Sequence, residues 1–124
     1  MSKAAHSAKL DIEMAVNAAD EAFKTFSQTS ATERSIMLNK IADRIEANLD
    51  YIAAVETLDN GKAIRETMAA DIPLAIDHFR YFASVIRAEE GSITELDKDT
   101  VSIIVHEPIG VIAQIIPWNF PILM

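Results

Sequence analysis

Apolar residues recur every three or four positions along the first two thirds of the chain, which is the period of a helix that packs one face. In residues 11–26 the charged side chains fall largely off that face. The apolar positions of this stretch are Ile12, Ala15, Val16, Ala19, Phe23 and Phe26. The pattern predicts a first amphipathic helix over 11–26.

Two more helices are predicted from their end signals. Ser30 and Glu33 have the spacing of a capping box, in which each side chain satisfies a backbone N–H of the other residue. A helix is therefore expected to begin there, and a third is expected from about Asn48 to Leu58. Asn60 and Gly61 end it, because both residue types tolerate the left-handed conformation of a helix C-terminus.

Proline marks the next boundary. Residues 64–70 predict a short helix that breaks before Pro73, and Pro73 suits the first turn of a further helix running to about Ala88. The apolar residues of that last helix cover much of its circumference, which predicts burial on more than one side.

The pattern changes after Gly91. Residues 100–106 are rich in β-branched side chains and partly alternate, which predicts a strand. Residues 111–116 form a nearly continuous apolar run, typical of a strand covered on both faces in a parallel sheet flanked by helices. The fold class predicted is therefore α/β. Ligands of such sheets bind at the carboxyl edges of the strands, here just after residue 116.

Composition and charge limit the classes of partner that we expect the chain to bind. The 124 residues suit a single domain, and their formal net charge of −8 repels the phosphates of nucleic acids and anionic lipids. We therefore expect neither nucleic acid nor membrane as a partner. Residues 1–6 lead into no apolar signal segment, and no apolar run reaches the ~20 residues of a membrane span. A cytoplasmic location is expected.

The absence of cysteine excludes disulfides, thiolate metal ligands and a thiol nucleophile from these residues. The three histidines, His6, His78 and His106, show no metal-ligand spacing, so no metal site is predicted.

Asn119 is the candidate for chemistry. It lies between Trp118 and Phe120 after the predicted buried strand, where its amide can donate to a developing negative charge. Trp118 can exclude water, and the backbone carbonyls of Ile115 and Ile116 can meet a ribose hydroxyl. The alternative is ordinary turn chemistry, since Asn and Pro close together are common in turns. The residues around Asn119 are compatible with both a donor to a developing charge and an ordinary turn residue.

A longer match favours the first reading. Residues 107–111, Glu-Pro-Ile-Gly-Val, followed by residues 114–121, Gln-Ile-Ile-Pro-Trp-Asn-Phe-Pro, closely resemble the aldehyde dehydrogenase superfamily. Residues 41–45, 59–62 and 77–83 resemble the same family in register. Within it, the chain is most similar to bacterial enzymes that act on small aliphatic aldehydes such as acetaldehyde.

The resemblance implies roles for particular residues. Asn119 would be the oxyanion-hole asparagine, which stabilises the tetrahedral adduct of the aldehyde on a catalytic cysteine. Ile115, Ile116, Pro117 and Trp118 would line the cleft for NAD or NADP. Residues 92–107 would form an oligomerisation arm of a homodimer or homotetramer, beside the helical part of a Rossmann-like cofactor-binding domain.

The family also uses a nucleophilic cysteine, a general-base glutamate and a glycine-rich phosphate turn, all after the asparagine. None occurs in these 124 residues. The expectation is that residues 1–124 are part of the cofactor-binding domain, truncated after the first buried sheet strand, with the catalytic domain absent. Such a chain is predicted to be inactive alone. The alternative is a non-catalytic helical interaction module from a truncated gene, which would associate through the edge of residues 100–106.

Overall fold

The computed structural model describes residues 6–124, and this part of the chain contains five α-helices followed by a two-stranded sheet. The helices are α1 (Lys9–Phe26), α2 (Ala31–Glu46), α3 (Leu49–Asn60), α4 (Ile64–Glu66) and α5 (Ile72–Val85), and the strands are β1 (Ser92–Asp97) and β2 (Thr100–Ile104). The first five residues, on which the expectation of no secretory signal partly depends, lie outside the described part. The predicted fold class, α/β, is confirmed, since the described residues contain both helices and strands.

The chain forms two compact units. One consists of the described residues up to Thr29 together with Ile93–Ala113, and it contains α1 and β2 with most of β1. The other consists of Ser30–Ser92 and Gln114–Met124, and it contains α2 to α5 and the candidate site.

The end signals of α2 and α3 are confirmed. The Ser30 hydroxyl accepts the backbone N–H of Glu33 at 3.1 Å, and the Glu33 carboxylate accepts the backbone N–H of Ser30 at 2.8 Å. The chain leaves α3 through Gly61 at φ +79°, the left-handed region that glycine enters without a steric penalty. α1 is also confirmed and begins two residues before the predicted 11, at Lys9.

The core of the second unit lies between α2, α3 and α5. Its buried members are Ala42, Ala53, Ile72 and Ile76. Phe79 and Ile122 pack against this cluster, so the C-terminal segment is part of the same core. Two polar contacts reinforce the α2–α5 packing: the Ser35 hydroxyl donates to the Ala83 carbonyl at 2.6 Å, and Arg80 pairs with Glu46 at 2.5 Å.

The predicted break before Pro73 is wrong. The chain continues from α4 into α5 through a π-helical turn, Thr67–Asp71, in which the backbone N–H of Ile72 donates to the Thr67 carbonyl. Proline lacks an N–H, and in a regular helix its ring meets the carbonyl four residues earlier. A widened turn changes that alignment, so the helical path passes Pro73 without stopping.

α5 is buried on one face and not on several. Ile72, Ala75, Ile76 and Ala83 are buried, but Leu74, Tyr81, Phe82 and Val85 are exposed. The prediction assumed protein on both sides of this apolar helix, and the described residues cover one of them.

Of the two strand predictions, one is confirmed and the other is wrong. β2 confirms the strand expected over 100–106, and it pairs with β1 through the two-residue connection of Lys98 and Asp99. The strand predicted over 111–116 is wrong: these residues form no strand and are exposed. A buried parallel strand needs neighbouring strands for its N–H and C=O groups and helices on its faces. The described residues supply no neighbouring strand to this stretch, and all six of its residues stay exposed.

Candidate functional site

The predicted site residues lie on and before a proline-bounded turn. The backbone N–H of Phe120 donates to the Pro117 carbonyl at 3.3 Å, which places Trp118 and Asn119 at the two central positions. A single helical turn follows, closed by the N–H of Met124 on the Phe120 carbonyl at 3.2 Å. Pro117 and Pro121 restrict the backbone on either side of Asn119, because their rings fix φ.

Asn119 is half-buried. Among the residues that the structure describes, its side-chain amide has no hydrogen-bond partner. An asparagine amide carries two N–H donors and a carbonyl acceptor. The group at the centre of this turn is therefore free to donate to an oxygen of a bound molecule.

The predicted cofactor-binding residues form one continuous surface stretch. Ile115 exposes 97% of its surface and Trp118 exposes 81%. Ile116 is directed differently, since it lines an open apolar groove of about 560 Å³. The other walls of this groove include Phe79, Phe82 and Leu123. The residues before Asn119 thus present backbone and side chains to solvent on one side and close a groove on the other.

A cluster of buried and half-buried charges lies beneath the turn. The Lys62 ammonium is 3.6 Å from the centroid of the Phe120 ring and 2.5 Å from a carboxylate oxygen of Asp71. The side chains of Lys62 and Asp71 are 25% and 6% exposed. The backbone N–H of Lys62 also donates to the Asn60 side-chain oxygen at 2.9 Å, so the residue is held at both ends.

Glu56 completes this cluster and is only 4% exposed. Burial raises the pKa of its carboxyl and the neighbouring Asp71 raises it further, while the backbone N–H of Ile122 and the charge of Lys62 act in the opposite direction. One Glu56 carboxylate oxygen, Oε1, has no hydrogen-bond partner among the described residues. We call Glu56, Lys62 and Asp71 the anchor cluster.

The sequence did not predict the anchor cluster. The turn that ends α3 at Gly61 was predicted and is present, but the side chain of the next residue, Lys62, reaches beyond it to Asp71. A signal was present in α3: Glu56 lies three and four positions after Ala53 and Ile52, which places a carboxylate on the core-facing side of the helix.

Residues 6–124 contain no group of three or more His, Cys, Asp or Glu side chains placed to hold a metal ion. Within the same residues, no helix combines the length and apolar character that crossing a bilayer requires.

Comparisons with known proteins agree with one another. The family model described as "Aldehyde dehydrogenase family" matches residues 1–124. The chain is 64% identical over 114 residues to the long-chain-aldehyde dehydrogenase of an Acinetobacter species, covering 92% of this chain and 23% of that protein. It is 58% identical over 118 residues to acetaldehyde dehydrogenase 2 of Cupriavidus necator, covering 95% of this chain and 23% of that protein.

A solved structure gives the same result. The indole-3-acetaldehyde dehydrogenase of P. syringae, a mutant in complex with NAD+, superposes with a TM-score of 0.94 at 30% identity. The match covers 99% of this chain and 25% of that protein. The chain thus spans about a quarter of the length of the proteins it matches.

Proposed function

Because the chain belongs to the aldehyde dehydrogenase family, we propose that it supplies the oxyanion-binding asparagine and one wall of the dinucleotide cleft of an enzyme that oxidises aldehydes to carboxylic acids. The membership itself confirms the resemblance noted in the sequence. The observation that carries the proposal is the side-chain amide of Asn119, half-buried in a proline-bounded turn and without a partner among the described residues.

Asn119 acts on the charge that develops during the reaction. When a cysteine thiolate adds to the aldehyde carbon, the carbonyl π electrons move to oxygen, and the amide N–H of Asn119 donates to that oxygen. A preorganised donor of this kind stabilises the transition state by about 3–4 kcal/mol. The thiolate comes from outside these 124 residues, which contain no cysteine. Alone, the chain is therefore expected to be inactive.

The residues before Asn119 fit one wall of a dinucleotide site. NAD+ or NADP+ accepts the hydride from the adduct, which leaves a thioester that water hydrolyses to the acid. Ile115 and Trp118 present exposed backbone and apolar surface to such a ligand. The NAD+ complex of the P. syringae enzyme supports this assignment.

The finer assignments extend this proposal. Similarity to the long-chain-aldehyde dehydrogenase of Acinetobacter and to the acetaldehyde dehydrogenase of C. necator supports an aliphatic aldehyde as substrate, and the C. necator enzyme favours a small one. The exposed hairpin of β1 and β2 supports residues 92–107 as the arm of a homo-oligomer. The acidic composition is typical of a cytoplasmic enzyme.

A chimeric enzyme tests the proposal. In it, this chain replaces the matching segment of the C. necator acetaldehyde dehydrogenase. We expect Asn119→Ala to lower kcat for acetaldehyde roughly 100- to 1000-fold, as removal of an oxyanion donor does elsewhere. Asn17→Ala, on the exposed surface of α1, is the matched control and should leave kcat unchanged. An Asn119→Ala chimera with undiminished kcat would disprove the role.

The second candidate function is a non-catalytic interaction module that pairs with a copy of itself. The β1–β2 hairpin favours it, since its apolar residues are exposed, among them Ile103 at 61%. Exposed hairpin edges offer unpaired N–H and C=O groups to another strand. Light scattering of the 124-residue chain should then show concentration-dependent association that Ile103→Lys abolishes. A monomer at every concentration would count against this candidate.

A further inference from the structure

The Lys62 ammonium contacts two separate parts of the chain, the carboxylate of Asp71 and the ring of Phe120. Phe120 follows Asn119 directly, so a group that holds this ring also restrains the peptide that carries the asparagine. We propose that Lys62 is a positioning residue that orients Asn119 through Phe120. This role rests on the proposed function of Asn119.

The contact has the geometry of a cation–π interaction. Such interactions form when a cation lies over an aromatic face within about 6 Å of the centroid, and partial desolvation strengthens them. Here the distance is 3.6 Å and the Lys62 side chain is 25% exposed. The ring is therefore held by a charge that bulk water screens only in part.

Lys62 is itself fixed from both ends. Gly61, in the left-handed conformation, and the Asn60 side chain set the direction of its backbone. Asp71, in the π-helical turn before α5, binds its ammonium. These restraints connect the end of α3 and the start of α5 to the turn that carries Asn119.

Ile122 provides a second attachment on the far side of Pro121, because its side chain packs against the core. The segment from Phe120 to Ile122 is thus held at two points, one by a cation and one by apolar contact. Asn119 lies immediately before the first point.

A purely structural role for Lys62 makes a different prediction. If Lys62 only neutralises buried Asp71, its loss lowers stability and its effect on kcat does not depend on Asn119. If it acts through Asn119, the two substitutions are not additive, because residues that act as one unit show strong coupling. A double-mutant cycle separates the two roles.

The cycle is measured in the chimera with the C. necator acetaldehyde dehydrogenase. Lys62→Met removes the charge and keeps the length, and Phe120→Leu removes the ring and keeps the Lys62–Asp71 pair. Each is expected to lower kcat about tenfold, since small displacements of a catalytic group cost rate on this scale. In an Asn119→Ala background neither should lower kcat further. Lys62→Arg should restore most of the activity, and Lys9→Met, on a 90% exposed side chain, is the control.

The outcomes are distinguishable. If Asn119→Ala lowers kcat but Lys62→Met and Phe120→Leu do not, the positioning role is wrong and the proposed function stands. Equal effects of Lys62→Met with and without Asn119 also overturn the positioning role. If Asn119→Ala itself has no effect, both fail. Should Lys62→Met not fold, Phe120→Leu decides alone, because it leaves the Lys62–Asp71 ion pair intact.

Discussion

The Ser35 hydroxyl donates a 2.6 Å hydrogen bond to the Ala83 carbonyl, and this buried contact joins α2 to the last turn of α5. Carbonyls in the last turn of a helix lack an intrahelical donor, so the side chain of another helix satisfies one of them here. Ser35→Ala should lower the free energy of unfolding by about 1–2 kcal/mol, because a buried acceptor loses its donor. Urea denaturation measures the change. Ser84→Ala, which removes an exposed hydroxyl on α5, should alter it by less than about 0.5 kcal/mol.

Glu56 should make stability depend on pH. Burial and Asp71 raise its pKa in the folded chain above the ordinary value of 4.5. A carboxyl with a raised folded pKa stabilises the fold fully below its unfolded pKa, and this contribution is lost as pH rises through the folded pKa. Glu56→Gln is neutral at every pH, so its Tm relative to the native chain should rise from pH 4 to pH 8.

The control for this experiment is Glu95→Gln, on the exposed strand β1. Its Tm difference from the native chain should change little over the same range. A Glu56→Gln difference that stays flat, or that falls with rising pH, would contradict the assignment of a raised pKa.

The capping box predicts the opposite pH dependence. Hydrogen bonds from the Ser30 backbone N–H and hydroxyl lower the pKa of Glu33. A carboxyl with a lowered folded pKa stabilises the fold above its unfolded pKa, and this contribution is lost as pH falls through the folded pKa. Ser30→Ala should destabilise the chain by about 1 kcal/mol at neutral pH, as loss of an N-cap does, and by less in acid. Thermal unfolding followed by circular dichroism measures both values, with Ser27→Ala beside it; equal losses in acid and at neutral pH would refute the coupling.

Gly61 should tolerate substitution poorly for a reason of backbone alone. Its φ is +79°, and a Cβ added there meets no atom within 4 Å. Gly61→Ala therefore loses about 1–2 kcal/mol through the left-handed conformation itself. Gly91→Ala is the matched comparison, because the φ of Gly91 is not positive. If both alanine variants unfold at the same urea concentration, the strain at Gly61 is not what limits the site.

Local signals in the sequence predicted local structure well. The Ser30–Glu33 box and the turn at Gly61 depend on residues a few positions apart, and both are confirmed. The strand predicted over 111–116 depended on neighbours that the described residues do not supply, and it did not form. The apolar pattern of residues 111–116 indicates that the run needs packing partners, and it does not by itself make the run a strand.

The candidate site likewise has one part that the sequence predicts and one part that it does not. The position of Asn119 between two prolines can be read from the sequence, and its turn follows from them. The contact of Lys62 with Phe120 cannot, because it arises when α3, α5 and the C-terminal segment pack together. Long-range contacts between a cation and an aromatic ring leave no periodic trace in a sequence.

The π-helical turn between α4 and α5 changes the direction of the side chains before it relative to those of α5. Asp71 and Ile72 are adjacent and both buried, yet one meets the Lys62 ammonium and the other the apolar core. Each residue of a regular helix advances the direction of its side chain by about 100°. Deleting one residue from Thr67–Asp71 would rotate the preceding turn by that angle relative to α5 and separate the acid from its lysine. The extra residue of the π-helical turn thus determines whether Asp71 faces Lys62, and so which charges lie beneath the turn that carries Asn119.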